Sequence, residues 1–281
     1  MEQQQNAQLD ISGLLIMMKQ RGASDLFISA DVPPSVKVDG KLTPLVNVTL
    51  TEDDSRNLAY SLMNEQNRRD FEDTNECNFA VFPKEIGRFR VNVFVQQGKV
   101  GMVLRTIEME IPTIESLHLP DVLKDIVMSK RGMVIFVGAT GSGKSTSIAS
   151  MLGYANDNRY GHILTIEDPV EFVHQSKNCL ITQREVGVDT ESFTVGLQNA
   201  MRQAPDIILI GEIRSQETMD HAVVFSETGH LCMATLHANN SNQALDRIIN
   251  FFPEDRRDQL LMDLSLNLRA IISQRLIPRK N

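Results

Sequence analysis

The spacing of apolar side chains changes along this chain, and each change marks an element. Ile11, Leu14, Leu15 and Met18 recur at helical spacing, with Arg21-Gly22 as a stop signal. The period then falls to two. Leu26 and Ile28 alternate with their neighbours, Pro33-Pro34 interrupts, and Val36 and Val38 lead into Asp39-Gly40, a dipeptide suited to a two-residue hairpin turn. Thr51, three residues before Asp54, predicts a capped helix carrying Leu58 and Leu62. A second hairpin follows. Phe89, Val91, Val93 and Val95 share one strand face and Arg88 and Arg90 the other, and after a turn at Gln97-Gly98 residues 100–107 return with Arg105. Residues 1–107 are therefore predicted to form a small α+β domain.

From 108 to 120 the pattern weakens around Pro112 and Pro120, and this stretch is read as a linker. Beyond it the rhythm differs. Apolar runs at 134–137, 162–166, 207–210 and 231–235 alternate with helical segments, the signature of a mostly parallel sheet flanked by helices. An α/β domain is predicted over residues 121–281, and a length of 281 residues suits two domains. The Gln-rich start at Gln3, Gln4 and Gln5 is read as disordered.

The chemistry begins at Gly138, Ala139, Thr140, Gly141, Ser142, Gly143, Lys144 and Ser145, a complete G-x-x-x-x-G-K-[ST] loop. An apolar strand at 133–137 precedes it, and beyond Thr146 a helix opens at 147–152. In that context backbone N–H groups converge on phosphate at a helix N-terminus. Gly138, Gly141 and Gly143 let the backbone close around the phosphates, Lys144 reaches the β- and γ-phosphates, and the Ser145 hydroxyl is the expected ligand of Mg²⁺. The loop predicts binding of a nucleoside triphosphate.

Three further groups fall at predicted strand ends, where open α/β sheets bind ligands. Residues 164–169 end an apolar strand on Glu167-Asp168-Pro169, and residues 207–212 end another on Gly211-Glu212. Phosphoanhydride hydrolysis needs one acid near the hydrated metal and one to orient or deprotonate water. Glu212 is read as the base, with Gly211 leaving room for a close ligand, and Glu167 as the acid near Mg²⁺. The alternative for Glu167 is a helix cap. His230 and His237 bracket the 231–235 run, either as phosphate or relay contacts or as structural histidines. Arg88, Arg90 and Arg105 are either a solvated strand face or a source of charge for a nucleotide.

Composition narrows the partners. A net charge of −8, with no Trp and 3 Tyr, argues against a nucleic-acid track. Three separated cysteines suit a reducing compartment. The apolar run at 14–18 is too short to span a bilayer and lacks a basic flank, so a cytoplasmic protein without membrane insertion is expected.

The four segments, in this order behind a small β-rich domain, resemble the secretion-type hexameric ATPases that power type IV pili. Residues 138–145 match that family's Walker A loop and 164–172 (L-T-I-E-D-P-V-E-F) its Asp box. Residues 205–214 (P-D-I-I-L-I-G-E-I-R) match its atypical Walker B, and 228–240 its His box. The short N-terminal region and the lack of a C-x-x-C pair resemble its retraction branch, and stretches such as 76–80 and 101–105 differ from PilT within that branch.

The resemblance implies a PAS-like N-terminal domain, a RecA-like C-terminal domain, ATP between them and a homo-hexameric ring. It makes Arg88, Arg90 and Arg105 candidate γ-phosphate sensors and adds weight to His230 and His237. The implied partners are the retraction ATPase PilT and an inner-membrane pilus platform protein, with the motor recruited to the membrane base of the machine. The family continues beyond the 276–278 region into further helix, so a chain ending at Asn281 is expected to be shorter than its relatives. The expected function is an ATP-hydrolysing motor for pilus retraction and twitching motility. The competing expectations are a PilT-dependent docking module and a nucleic-acid translocase.

Overall fold

The computed structural model describes residues 9–107 and 110–277, so the glutamines at 3–5 and Glu108 lie outside the described residues. The chain divides into two compact units, Met1–Glu108 and Met109–Asn281.

The first unit runs α1 (Ile11–Gln20), β1 (Asp25–Ile28), β2 (Ser35–Val38), β3 (Lys41–Pro44), α2 (Glu52–Leu62), α3 (Glu65–Thr74), β4 (Glu76–Val81), β5 (Arg88–Gln96) and β6 (Lys99–Ile107). Its strands pair antiparallel in the order β3-β2-β1-β6-β5-β4. Both hairpin turns have the left-handed pair that Asp-Gly and Gln-Gly were expected to supply: Asp39 and Gly40 at φ 49° and 78°, Gln97 and Gly98 at 51° and 78°. At the start of α2 the Asp54 amide donates to Thr51 Oγ1 at 3.2 Å while the Thr51 amide donates to Asp54 Oδ2 at 2.9 Å, a closed capping box. Leu14, Leu15 and Met18 of α1 bury their face against Leu26, Val91, Met102 and Leu104. Phe89, Val91 and Val93 are buried as the period-2 pattern predicts. Val95 is exposed, and it pairs with Val100 next to the turn at Gln97-Gly98.

The second unit begins earlier than expected. The stretch read as a linker supplies Ile114 to the core, packed with Leu123, Val127, Ile148 and Leu152. Ile111 lies against Gly153, so this segment is a wall of the second unit rather than a tether.

There follow α4 (Val122–Val127), β7 (Gly132–Val137), α5 (Lys144–Asn158), β8 (Gly161–Glu167), β9 (Cys179–Glu185), α6 (Phe193–Ala200), β10 (Ile207–Ile210), α7 (Gln216–Glu227), β11 (Leu231–Leu236), α8 (Ser241–Asn250), α9 (Glu254–Asn267) and β12 (Leu268–Ser273). The sheet order is β12-β7-β11-β10-β8-β9, with every pairing parallel. A parallel strand covered on both faces must be apolar on both. In β7, Met133, Ile135 and Val137 face the core shared with α6 to α9, while Val134 and Phe136 face the core shared with α4 and α5. The phosphate-binding loop leaves this strand, which lies second from the β12 edge of the sheet. No helix among the described residues is long and apolar enough to cross a membrane.

Candidate active site

The loop from β7 to α5 is shaped by glycines and by a strand remote in sequence. Gly143 caps α5 at φ 92° and Gly138 lies at φ 150°, both in the left-handed half of backbone space. A Cβ on Gly138 would collide with the backbone carbonyl of Gln274, which follows β12, and one on Gly143 would lie 2.9 Å from Gln274 Nε2. The same Gln274 accepts a hydrogen bond from Ser147 Oγ at 3.0 Å and donates its amide to Val137 O at 2.9 Å. Gln274 thus braces the loop from behind, a role the motif alone does not show.

Inside the loop, Lys144 is 8% exposed and its Nζ donates to the carbonyls of Gly138 at 2.8 Å and Ala139 at 3.0 Å. Burial lowers its proton affinity, and the charges of Glu212 and Glu171 oppose that shift. The buried hydroxyl of Ser142 has no hydrogen-bond partner among the described residues. A loop that holds a confined ammonium and an unsatisfied hydroxyl donor is suited to an oxyanion.

Strand register brings the acids to this loop. Ile210 pairs with Ile166 on one side and Ala234 on the other, so the residues after β10 emerge between the ends of β8 and β11. Gly211 donates its amide to Ile166 O at 2.8 Å and accepts from Thr235 Oγ1 at 2.5 Å. Its missing side chain makes room for protein rather than for a ligand, because a Cβ there would lie 3.0 Å from Glu167 Cα. Thr140, Gly141, Gly143, Lys144, Ser145 and Thr146 of the loop line a cavity of about 410 Å³, and Glu167, Glu212 and His237 line it with them.

Each acid has its own surroundings. Glu167 Oε1 accepts from Thr165 Oγ1 at 2.6 Å and from Gln183 Nε2 at 3.3 Å. Burial nevertheless pushes its carboxyl up to about 7. The helix-cap alternative fails, since β9 and not a helix is the next element. Glu212 is 13% exposed at its side chain. His237 Nε2 lies 3.2 Å from its Oε1, and Arg214 Nε donates to its Oε2 at 2.6 Å. Arg214 Nη1 also reaches Asp168 Oδ2 at 3.4 Å. The hydrogen bond to Glu212 holds the guanidinium even more firmly protonated than usual.

His230 is not brought to this cavity. It precedes β11, at the end of the strand opposite His237, and its Nδ1 lies 3.1 Å from both Thr228 Oγ1 and Phe225 O. Six strand residues separate the two histidines by roughly 20 Å.

Arg88, Arg90 and Arg105 belong to the first unit. Arg90 and Arg105 are directly paired across β5 and β6, and Arg88 lies opposite Ile107. Arg105 Nε donates to Asp25 Oδ1 at 2.7 Å, and that aspartate is 3% exposed. Arg105 therefore already neutralises a buried carboxylate within its own sheet. Sequence reasoning assigned no role to Arg214, Thr165, Gln183, Thr235 or Gln274. For Arg214 a signal existed, as it ends the segment that delivers Glu212.

A parallel sheet with a glycine loop leaving one strand, and acids delivered by its neighbours, defines a P-loop nucleoside triphosphatase. Residues 19–280 match the family described as Type II/IV secretion system protein, and the chain belongs to that family. The type IV pilus ATPase PilU of Pseudomonas aeruginosa is 60% identical over 96% of this chain and 71% of its own length. The type IV pilus retraction ATPase PilT of the same organism is 44% identical over 96% and 79%. The crystal structure of the pilus retraction motor PilT with bound ADP superimposes with a TM-score of 0.92 at 42% identity, covering 96% of this chain and 79% of that one. The chain is a PilT/PilU-type ATPase.

Proposed function

We propose that this chain is the ATP-hydrolysing motor that powers or assists type IV pilus retraction and twitching motility. In this reading it acts as a ring of six copies beside PilT, with an inner-membrane pilus platform protein as its partner. The observation that carries the chemistry is the meeting of Lys144, Glu167 and Glu212 in one cavity. The 60% identity to PilU supports the biological setting.

Lys144 and the loop amides hold the β- and γ-phosphates, and Glu212 orients the attacking water and accepts its proton. His237, with its Nε2 3.2 Å from Glu212 Oε1, is read as reporting the state of that carboxylate. Ser145 and, partly through water, Glu167 are the residues that would hold Mg²⁺, and a hydroxyl–carboxylate oxygen set suits that hard cation. When bound, Mg²⁺ neutralises charge on the β- and γ-phosphate oxygens.

The second unit is read as RecA-like. The first is read as PAS-like, a reading supported by its antiparallel order with β1 and β6 at the centre. Arg88, Arg90 and Arg105 are assigned to sensing the γ-phosphate, with Arg105 also serving Asp25. Closure around the nucleotide then converts binding energy into domain rotation.

Expression in a bacterium lacking its own counterpart tests the whole reading. The wild-type chain restores twitching and Glu212→Gln does not. Full restoration by Glu212→Gln would instead make the chain a docking module.

A further inference from the structure

Arg214 touches two acids that come from different strands. Its Nε donates to Glu212 Oε2 at 2.6 Å and its Nη1 to Asp168 Oδ2 at 3.4 Å. Glu212 follows β10 and Asp168 follows β8, so one planar guanidinium ties together the ends of two neighbouring parallel strands. The partners differ in exposure. The Glu212 side chain is 13% exposed and lines the cavity, the Asp168 side chain is 35% exposed, and Arg214 is 56% exposed. The more buried acid has the shorter bond.

A glutamate side chain has three rotatable bonds, and a base that must meet a water at one position cannot sample them freely. Glu212 is gripped at both oxygens, by His237 at Oε1 and by Arg214 at Oε2. The histidine comes from the end of β11, so the carboxylate is located by elements on both sides of its own strand. Arg214 is itself anchored by Asp168, which keeps the guanidinium plane from turning with Glu212. A single ammonium cannot reproduce this geometry, because the two bonds leave from different nitrogens of a rigid fork.

We propose that Arg214 is a positioning residue for ATP hydrolysis, fixing the Glu212 carboxylate in the cavity by bridging it to Asp168. The proposal rests on the reading of Glu212 as the group that acts on water. Arg214 and Asp168 also line the cavity, and the proposal assigns the guanidinium to the carboxylate rather than to the phosphates, so its loss alters turnover more than binding.

The test uses the full chain with steady-state ATPase kinetics, ADP affinity and thermal melting for Arg214→Ala, Arg214→Lys and Glu212→Gln. Arg214→Ala is expected to lower kcat about 10- to 100-fold, the scale of a misplaced reacting group, with KM for ATP and Kd for ADP within about twofold of wild type. Methylguanidinium added to Arg214→Ala should recover part of the lost kcat, because the site is open to solvent on the Arg214 side. If Arg214→Ala does not fold, Arg214→Lys gives the same split, with reduced kcat and retained KM.

Three results overturn the proposal: an unchanged kcat, a loss confined to KM and ADP affinity, or a kcat loss that methylguanidinium does not move. Glu212→Gln keeps the two claims apart. If it hydrolyses ATP normally, the reading of Glu212 fails. If it is inactive while Arg214→Ala is normal, only the role of Arg214 fails.

Discussion

His174 lines the nucleotide cavity along with Glu167, and burial moves the two in opposite directions. The imidazole is pushed down to about 4 and the Glu167 carboxyl up to about 7, so each favours its neutral form. The consequences for stability have opposite signs. Unfolded, His174 takes up a proton near pH 6.5 that the fold resists, so its contribution is complete above pH 6.5 and lost as pH falls toward 4. Glu167 releases a proton near 4.5 when unfolded but only near 7 in the fold, so its contribution is complete below 4.5 and lost as pH rises through 7. Melting curves in nucleotide-free, Mg²⁺-free buffer are expected to show this. His174→Gln should remove up to about 2 kcal/mol of the wild type's loss between pH 7 and pH 5. Glu167→Gln should gain on wild type as pH rises from 5 to 8. Parallel curves for either variant and wild type would contradict the assigned burial.

At the scale of elements, what the chain disclosed depended on where each strand lies. β7, β8, β10 and β11 are covered on both faces, so their sequences are nearly continuous apolar runs and their positions were legible. β9, with Thr182, Gln183 and Arg184 half-buried at a sheet edge, has no such run. β12 continues straight from α9 without a turn residue to announce it. Missing those edges also concealed Gln183 and Gln274, whose partners lie 16 and 127 residues away in sequence. The loop, Glu167, Glu212 and His237 were legible because strand ends converge by topology. The separation of His230 from His237 was legible as well, because the two bracket the 231–235 run and a strand there puts them at opposite ends. The role given to Gly211 changed, since the space it leaves is filled by β8. Two alanine substitutions test these packing statements. Gly138→Ala, strained by its φ and by the Gln274 carbonyl, should cost about 2 kcal/mol or more in thermal or urea unfolding. Gly211→Ala should part the ends of β8 and β10 and depress kcat more than it lowers stability. A neutral Gly138→Ala, or a Gly211→Ala enzyme of normal kcat, would show that these close approaches are relaxed at little cost.

At the scale of the whole molecule, the motor reading requires that hydrolysis depend on assembly. ATPase activity per subunit should climb steeply with protein concentration until a ring forms, as followed by mass measurement on the same samples. Arg88→Ala should reduce turnover more than ADP affinity if charge from the first unit stabilises the transition state. Arg105→Ala also uncovers Asp25, so its melting temperature must be read beside its kcat. Activity that stays flat in a monomer would remove the ring from the mechanism and leave the cavity chemistry intact. That chemistry is the central claim, and Glu212→Gln tests it most directly, with ATP binding and single-turnover hydrolysis measured on one preparation. Tight binding with hydrolysis at least about 100-fold slower than wild type is the predicted result. Hydrolysis at the wild-type rate would contradict the assignment of Glu212 and pass the role of base to Glu167.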